Sequence, residues 1–258
     1  MLACVESRDG DVGAGALWLA TEDCPDVDPP RWLSLLDDLG QELGNRCDGA
    51  PPIACVPIIA GLLRERIKLR GAGGGDPQSH YLHRVLERGN GVPLSCSAIW
   101  IAVGRRAGLP VEGVGLPGRF VVRVGGALAD PFAGGELLDD PAARRLVAGV
   151  LGSEPTRLDP AWLGAASPRW ILARMSRNLR GVYASREEWD MALRAADRCV
   201  ALLPDEPTEL RDRGLLRWQL GQSAEALDDL RAYLERVPRA PDRSHVEEVV
   251  SRLRAHLN

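Results

Sequence analysis

The chain has no apolar run long enough to cross a membrane. The longest, Ile53 to Leu63, is 11 residues and contains Pro57, whereas a spanning helix needs about 20. It also lacks any Cys-x-x-Cys pair among its six cysteines, Cys4, Cys24, Cys47, Cys55, Cys96 and Cys199. Its four histidines, His80, His83, His245 and His256, complete no zinc pattern. No metal and no other cofactor is expected. There is no surplus of positive charge. A net charge of −4 argues against a broad basic surface, and so against sequence-independent binding of nucleic acid. The first residues carry Glu6, Arg8, Asp9 and Asp11 where a signal peptide would need its apolar core. The expectation is a soluble, cytoplasmic protein without a membrane or nucleic-acid partner. A disulfide framework is not expected in that compartment, and most of the thiols should pack as small hydrophobes.

What is present is a globular composition, 45% hydrophobic and 26% charged, on a chain long enough for one large domain or two ordinary ones. Near the end it repeats itself. Ala192-Leu193 recurs as Ala226-Leu227, and Pro204 recurs as Pro238, both at an offset of 34 residues. That is the tetratricopeptide period, in which two antiparallel helices form one unit. The small alanine lets the second helix of a unit approach the first, and the proline stops that second helix. Tyr183 and Gly214 also suit the repeat, whereas Arg180, Cys199 and Tyr233 depart from its usual choices. The spacing predicts helices over 171–185, 189–203, 207–220 and 223–236. Ser244 and Glu247 have capping-box spacing, and Val246, Val249, Val250, Leu253 and Leu257 form one helical stripe, so a capping helix should follow.

The N-terminal part should be helical too: Gly13 to Glu22, a helix from near Pro30 with Trp32, Leu35, Leu36, Leu39 and Leu43 on one face, and another from Pro57 to Leu69. Gly71-Ala72-Gly73-Gly74-Gly75 has no Gly-Lys-Ser/Thr ending and no preceding strand, so it is no phosphate loop. It is taken as a flexible connection. Tyr81 to Arg88 is a short helix, and Pro93 opens a longer one through Arg106 that Gly108 ends. Three strands follow, Val111 to Leu116, Arg119 to Val124 and Ala127 to Asp130, with Gly125-Gly126 as a two-residue hairpin turn.

A long helix followed by this hairpin, with Asp130-Pro131-Phe132 leaving the last strand, resembles the transglutaminase-like core. The SirB-type family, which joins a divergent transglutaminase-like domain to tetratricopeptide repeats, is the closer match. The likeness is carried by Tyr81-Leu82-His83-Arg84-Val85-Leu86-Glu87-Arg88, Gly91-Val92-Pro93-Leu94-Ser95, Gly108-Leu109-Pro110, Gly113-Val114-Gly115-Leu116-Pro117-Gly118 and Asp130-Pro131-Phe132. It implies an α+β fold. A transglutaminase-like (papain-like) core with N-terminal helices would occupy residues 1–165, and an all-α repeat tail with its capping helix residues 166–258. It also implies a protein or peptide partner for the tail; no oligomeric state is implied.

An active site of this kind needs a cysteine at the start of the long helix, a histidine on the next strand and an aspartate to orient that histidine. Aligned on the motifs above, this sequence puts Pro93 at the nucleophile position. The family's Pro-Gly-His-Phe becomes Pro117-Gly118-Arg119-Phe120, so Arg119 stands for the histidine, and only Asp130 survives. An arginine holds its proton at neutral pH and cannot serve as a base. Cys96, one helical turn past Pro93, is the rival nucleophile, or else fills a hydrophobic slot. His80 and His83 are the nearest histidines in sequence, the latter with a surface or hydrogen-bonded position as its plain alternative. Ser95 and Ser97 would face the same lack of a base. The expected function is a non-catalytic scaffold or binding cleft, with a thiol enzyme of acyl-transfer or peptidase type as the alternative.

Overall fold

A computed structural model describes residues 10–257, with side chains through His256; Cys4, Glu6, Arg8, Asp9 and the side chain of Leu257 therefore lie outside the description. The chain forms two compact units that divide between Leu172 and Ala173.

The first unit opens with α1 (Val12–Asp23), α2 (Pro29–Arg46) and α3 (Val56–Ile67). Asp11 caps α1, its carboxylate accepting from Ala14 N–H at 3.0 Å. The apolar face of α2 buries Trp32, Leu36, Leu39 and Leu43, and packs against α5 (Pro93–Arg106). Between them lie β1 (Arg70–Gly71), α4 (Leu82–Arg88) and β2 (Asn90–Gly91). Every residue of α5 from Leu94 to Gly104 is buried. Such a helix is apolar all round because protein covers all its sides.

The main sheet is antiparallel, in the order β6-β5-β4-β3-β7. Its strands are β3 (Val111–Leu116), β4 (Arg119–Val124), β5 (Ala127–Asp130), β6 (Glu136–Leu138) and β7 (Ala165–Ala166). The three strands read from the sequence fall on their expected residues, because Pro117-Gly118 and Gly125-Gly126 punctuate them sharply. Gly125 and Gly126 both adopt positive φ, 56° and 95°, a conformation side chains disfavour. One face of the sheet packs on α5, with Phe120 and Ile101 closing over Gly113. On the other face Val114, Leu116 and Val121 meet Ala143 and Val147 of α6 (Asp140–Leu151).

One expectation fails in part. Gly71 does not belong to a flexible connection but pairs in β1 with β2, register Gly71↔Gly91. A Cβ at Gly71 would lie 2.8 Å from the Phe132 ring. Close approach of backbone to an aromatic ring, not freedom, is what requires glycine there.

The second unit comprises α7 from Ala173 on (the helix spans Pro168–Ser185), α8 (Trp189–Leu202), α9 (Pro207–Gln219), α10 (Ser223–Arg236) and the terminal α11 (Arg243–Leu257). These are the four repeat helices and the cap expected from the 34-residue period. Ala192 and Ala226 are fully buried, and Val246, Val249, Val250 and Leu253 of the cap are buried. Gly214 lets α10 approach, since a Cβ there would meet Leu230 Cγ at 2.9 Å. Substituting leucine for Ala226 should cost about 1–3 kcal/mol through overpacking. Urea unfolding of the full chain measures it, and a change below a few tenths would refute the assigned phase.

The residues that depart from the repeat pattern carry polar contacts instead. Arg180 pairs with Glu209 at 2.7 Å and with Asp212 at 2.5 Å. Arg177 reaches Glu209 from the other side, 2.5 Å from Nε. Cys199 donates to Ala173 O at 3.7 Å. Tyr233 donates its hydroxyl to Asp242 at 2.6 Å, with Arg211 stacked 5.7 Å from its ring centre. Asp229 is bracketed likewise, by Arg213 at 2.6 Å and Arg217 at 2.8 Å.

Candidate functional site

The structure brings Arg119 and Asp130 together. In the β4–β5 register Val122 faces Ala129 and Val124 faces Ala127; continuing it sets Val121 opposite Asp130, with Arg119 on the diagonal of the same face. Arg119 Nε lies 3.6 Å from Asp130 Oδ2. The guanidinium sits over the Phe132 ring, 4.6 Å from its centre, a cation–π contact. Asp130 does two things at once: Oδ2 faces Arg119, and Oδ1 accepts from Phe132 N–H at 2.9 Å, capping the turn that leaves the strand.

Asp130 is buried while Arg119 keeps about a quarter of its side chain in solvent. Burial raises the Asp130 carboxyl above its usual range, against the lowering effects of Arg119 and of the N–H groups of Phe132 and Ala133. A carboxyl raised in the folded state favours folding in acid, and that contribution is lost as pH rises through its folded pKa. Removing the cation moves that value further up. Arg119→Leu should therefore cost about 1–2 kcal/mol at neutral pH, less than for a fully buried pair because Arg119 is partly solvated. The deficit should shrink toward pH 4, as the carboxyl is neutralised. Urea unfolding at both pH values checks this; a deficit of equal size at each would sink the pairing.

Pro93 occupies the first position of α5, where its fixed φ and missing N–H suit a helix start. No side chain there can attack or transfer a proton. Cys96 lies one turn further and is fully buried. Its thiol faces backbone oxygens, Gly91 O at 3.4 Å and Arg70 O at 3.9 Å. Burial, and secondarily the Asp130 carboxylate, push it up to about 12, the reverse of what a nucleophilic thiol needs. Neither nearby histidine hydrogen-bonds to it. His80 is held by Gly74 O, 2.9 Å from Nε2.

His83 is neither at the surface nor hydrogen-bonded, contrary to the plain alternative for it. It is buried against the rings of Tyr81 and Trp32, and neither ring nitrogen has a hydrogen-bond partner among the described residues. Burial, then the adjacent Arg84, lower it to about 4, so it is neutral near pH 7. The serine hydroxyls are also engaged, Ser95 with His80 O at 3.0 Å and Ser97 with Phe120 O at 3.1 Å. Among the described residues no group of three or more His, Cys, Asp or Glu could hold a metal, and no helix is long and apolar enough to cross a membrane.

Comparison with known proteins gives the family of both parts of the chain. A family model described as transglutaminase-like superfamily matches residues 30–177, and one described as tetratricopeptide repeat matches residues 179–251. A UPF0162 protein of Xylella fastidiosa (strain Temecula1) is 37% identical over 249 residues, covering 92% of this chain and 88% of its own. A UPF0162 protein of Pseudomonas aeruginosa is 35% identical, covering 90% and 87%. Protein SirB1 of Salmonella typhimurium is 28% identical over 166 residues, covering 62% and 61%. No solved structure matches.

Proposed function

This chain belongs to the SirB-type family, a transglutaminase-like domain followed by tetratricopeptide repeats, and from that premise we propose that it is a non-catalytic scaffold whose repeat tail holds a protein or peptide partner. In this reading residues 1–165 keep the transglutaminase-like fold without its chemistry, and residues 166–258 present the interaction surface.

The observation that carries the reading is the contact between Arg119 and Asp130. The aspartate that would orient a histidine faces a guanidinium, which holds its proton at neutral pH. A thiol nucleophile needs both its place at the helix start and a base that takes and returns a proton. Pro93 removes the first and Arg119 the second. The alternative, a thiol enzyme built on Cys96, draws no support from a buried thiol whose polar neighbours are carbonyls.

The protein should turn over no small acyl or peptide substrate. Because triad members act as a unit, Arg119→His alone should give no measurable gain. The double change Pro93→Cys with Arg119→His is the fair test of whether the scaffold still holds the geometry. Turnover by the unaltered protein, abolished by Cys96→Ala, would overturn the scaffold reading. Binding is tested by pull-down with the full chain and with a folded chain lacking residues 170–258. Equal capture by both would move the partner off the tail.

A further inference from the structure

The row of residues that the main sheet turns toward α5 does not end in the core. Gly113 pairs with Val122, Val122 with Ala129, and Ala129 with Leu137. Val122 and Ala129 are fully buried, whereas Leu137 is 49% exposed. Leu137 is the middle residue of β6, the last strand of the sheet, and among the described residues no strand pairs with its outer side. A free edge is commonly guarded by a lysine, a proline or a covering segment. Glu136–Leu138 holds neither lysine nor proline.

One stripe of α3 runs beside this edge. Val56, Ala60 and Arg64 follow each other at four-residue steps, hence on one helix face. With the turn before β6 and Leu137 they enclose a groove of about 540 Å³, within the size range of ligand sites. The two walls run in opposite directions. A Cβ at Gly135 would lie 3.0 Å from Ala60 Cβ, and one at Gly134 would lie 3.6 Å from Arg64 Nη2. Arg64 therefore stands at the N-terminal end of β6, and Val56 toward Leu137. Arg64 has no ion-pair partner among the described residues, while Glu65 and Arg66 beside it are taken up by Arg46 and Glu42 of α2. Glu136, opposite Asp130, belongs to the other face of the sheet. The charge on this side of the groove is thus positive.

We infer that the β6 edge and the α3 stripe form a docking groove for an extended acidic peptide, which joins the sheet as an antiparallel strand, lays an apolar side chain beside Leu137 and sets an aspartate or glutamate on Arg64. Backbone pairing at an open edge attracts any extended chain, and alternate side chains supply the choice. Antiparallel addition continues the order of this sheet. From Ala60 to Arg64 is about 6 Å along the helix, close to the step of about 7 Å between successive side chains on one strand face. An added antiparallel strand runs toward Arg64, so its acidic residue comes two or four positions after the apolar one. An unpaired guanidinium takes a carboxylate through two parallel hydrogen bonds. The site lies on the first unit and does not depend on a partner held by the repeat tail.

The test uses the full chain and a fluorescein-labelled peptide, Thr-Ser-Thr-Leu-Thr-Glu-Thr-Glu-Thr, amidated so that its only carboxylates are side chains. Fluorescence anisotropy should give a Kd below about 100 μM. Exchanging both glutamates for glutamine, or reversing the order of residues, should weaken binding about tenfold or more. Arg64→Gln and Leu137→Lys in the protein should do the same. Both side chains are exposed, so the variants should unfold in urea as the wild type does. Hydrogen exchange at Glu136–Leu138 should slow when the peptide binds. The proposal is overturned if the peptide does not bind, or if both variants bind it as well as the wild type. Protection on the repeat helices instead of β6 also overturns it, and leaves a partner on the tail standing. So does a dimer in sedimentation whose β6 is protected without peptide, since a second copy then occupies the edge.

Discussion

Replacing Glu209 with alanine should lower the stability of the repeat tail by about 3–5 kcal/mol. Its carboxylate is 2% exposed and stands between Arg177 and Arg180 of α7, 2.5 and 2.7 Å away. Removing it leaves two arginines, three residues apart on α7, without the α9 carboxylate that both engage. Solvent relieves part of this, since Arg177 keeps about a third of its side chain exposed and Arg180 retains Asp212. The loss should therefore fall toward the lower end of the range. Glu209→Gln preserves shape and an acceptor oxygen, and should cost less than half as much. Urea unfolding of the full chain followed by circular dichroism reads both. A loss below about 1 kcal/mol for the alanine variant would mean that the arginines relax freely into water.

The second large effect is kinetic. Cys96 in the folded protein should react with iodoacetamide about a thousandfold more slowly than free cysteine, or slower still. Two independent causes act in the same direction. A thiol pushed up to about 12 is almost wholly protonated at neutral pH, and only the thiolate attacks. The sulfur is also covered by α5's neighbours, with Gly91 packed so closely that a Cβ there would lie 2.9 Å from it. Mass spectrometry of alkylated Cys96 against time, in native buffer and in urea, separates the two states. Labelling at the rate of free cysteine in native buffer would revive the thiol-enzyme alternative.

Much of this was legible from residue order alone, for reasons specific to each element. The tail declared itself because Ala192 and Ala226 must both be small where two helices touch, and a 34-residue offset repeats that demand. The hairpin was legible to the residue because Gly125-Gly126 can adopt a turn that other pairs resist. The approach of Arg119 to Asp130 followed from that turn, since strand register propagates from it. Local signals end where contacts are long-range. Nothing near Gly71 in sequence announces its pairing with Gly91 or its close approach to Phe132. His83 lies on a helix whose neighbours Arg84 and Glu87 suggest a wet face, yet the rings of Trp32 and Tyr81 enclose it. Arg213 and Arg217 give no hint of Asp229 until α9 and α10 are laid together. Strands β6 and β7, three and two residues long, are too short to show a period.

The two roles of Asp130 bear on how proteins of this fold are sorted into enzymes and non-enzymes. Its Oδ1 holds the Phe132 N–H at the exit of the strand whether or not any chemistry takes place next to it. That bond alone is reason enough for an acid at residue 130. An acid at this position is a marker of the turn. The presence of that acid alone therefore does not tell an enzyme of this fold from a scaffold.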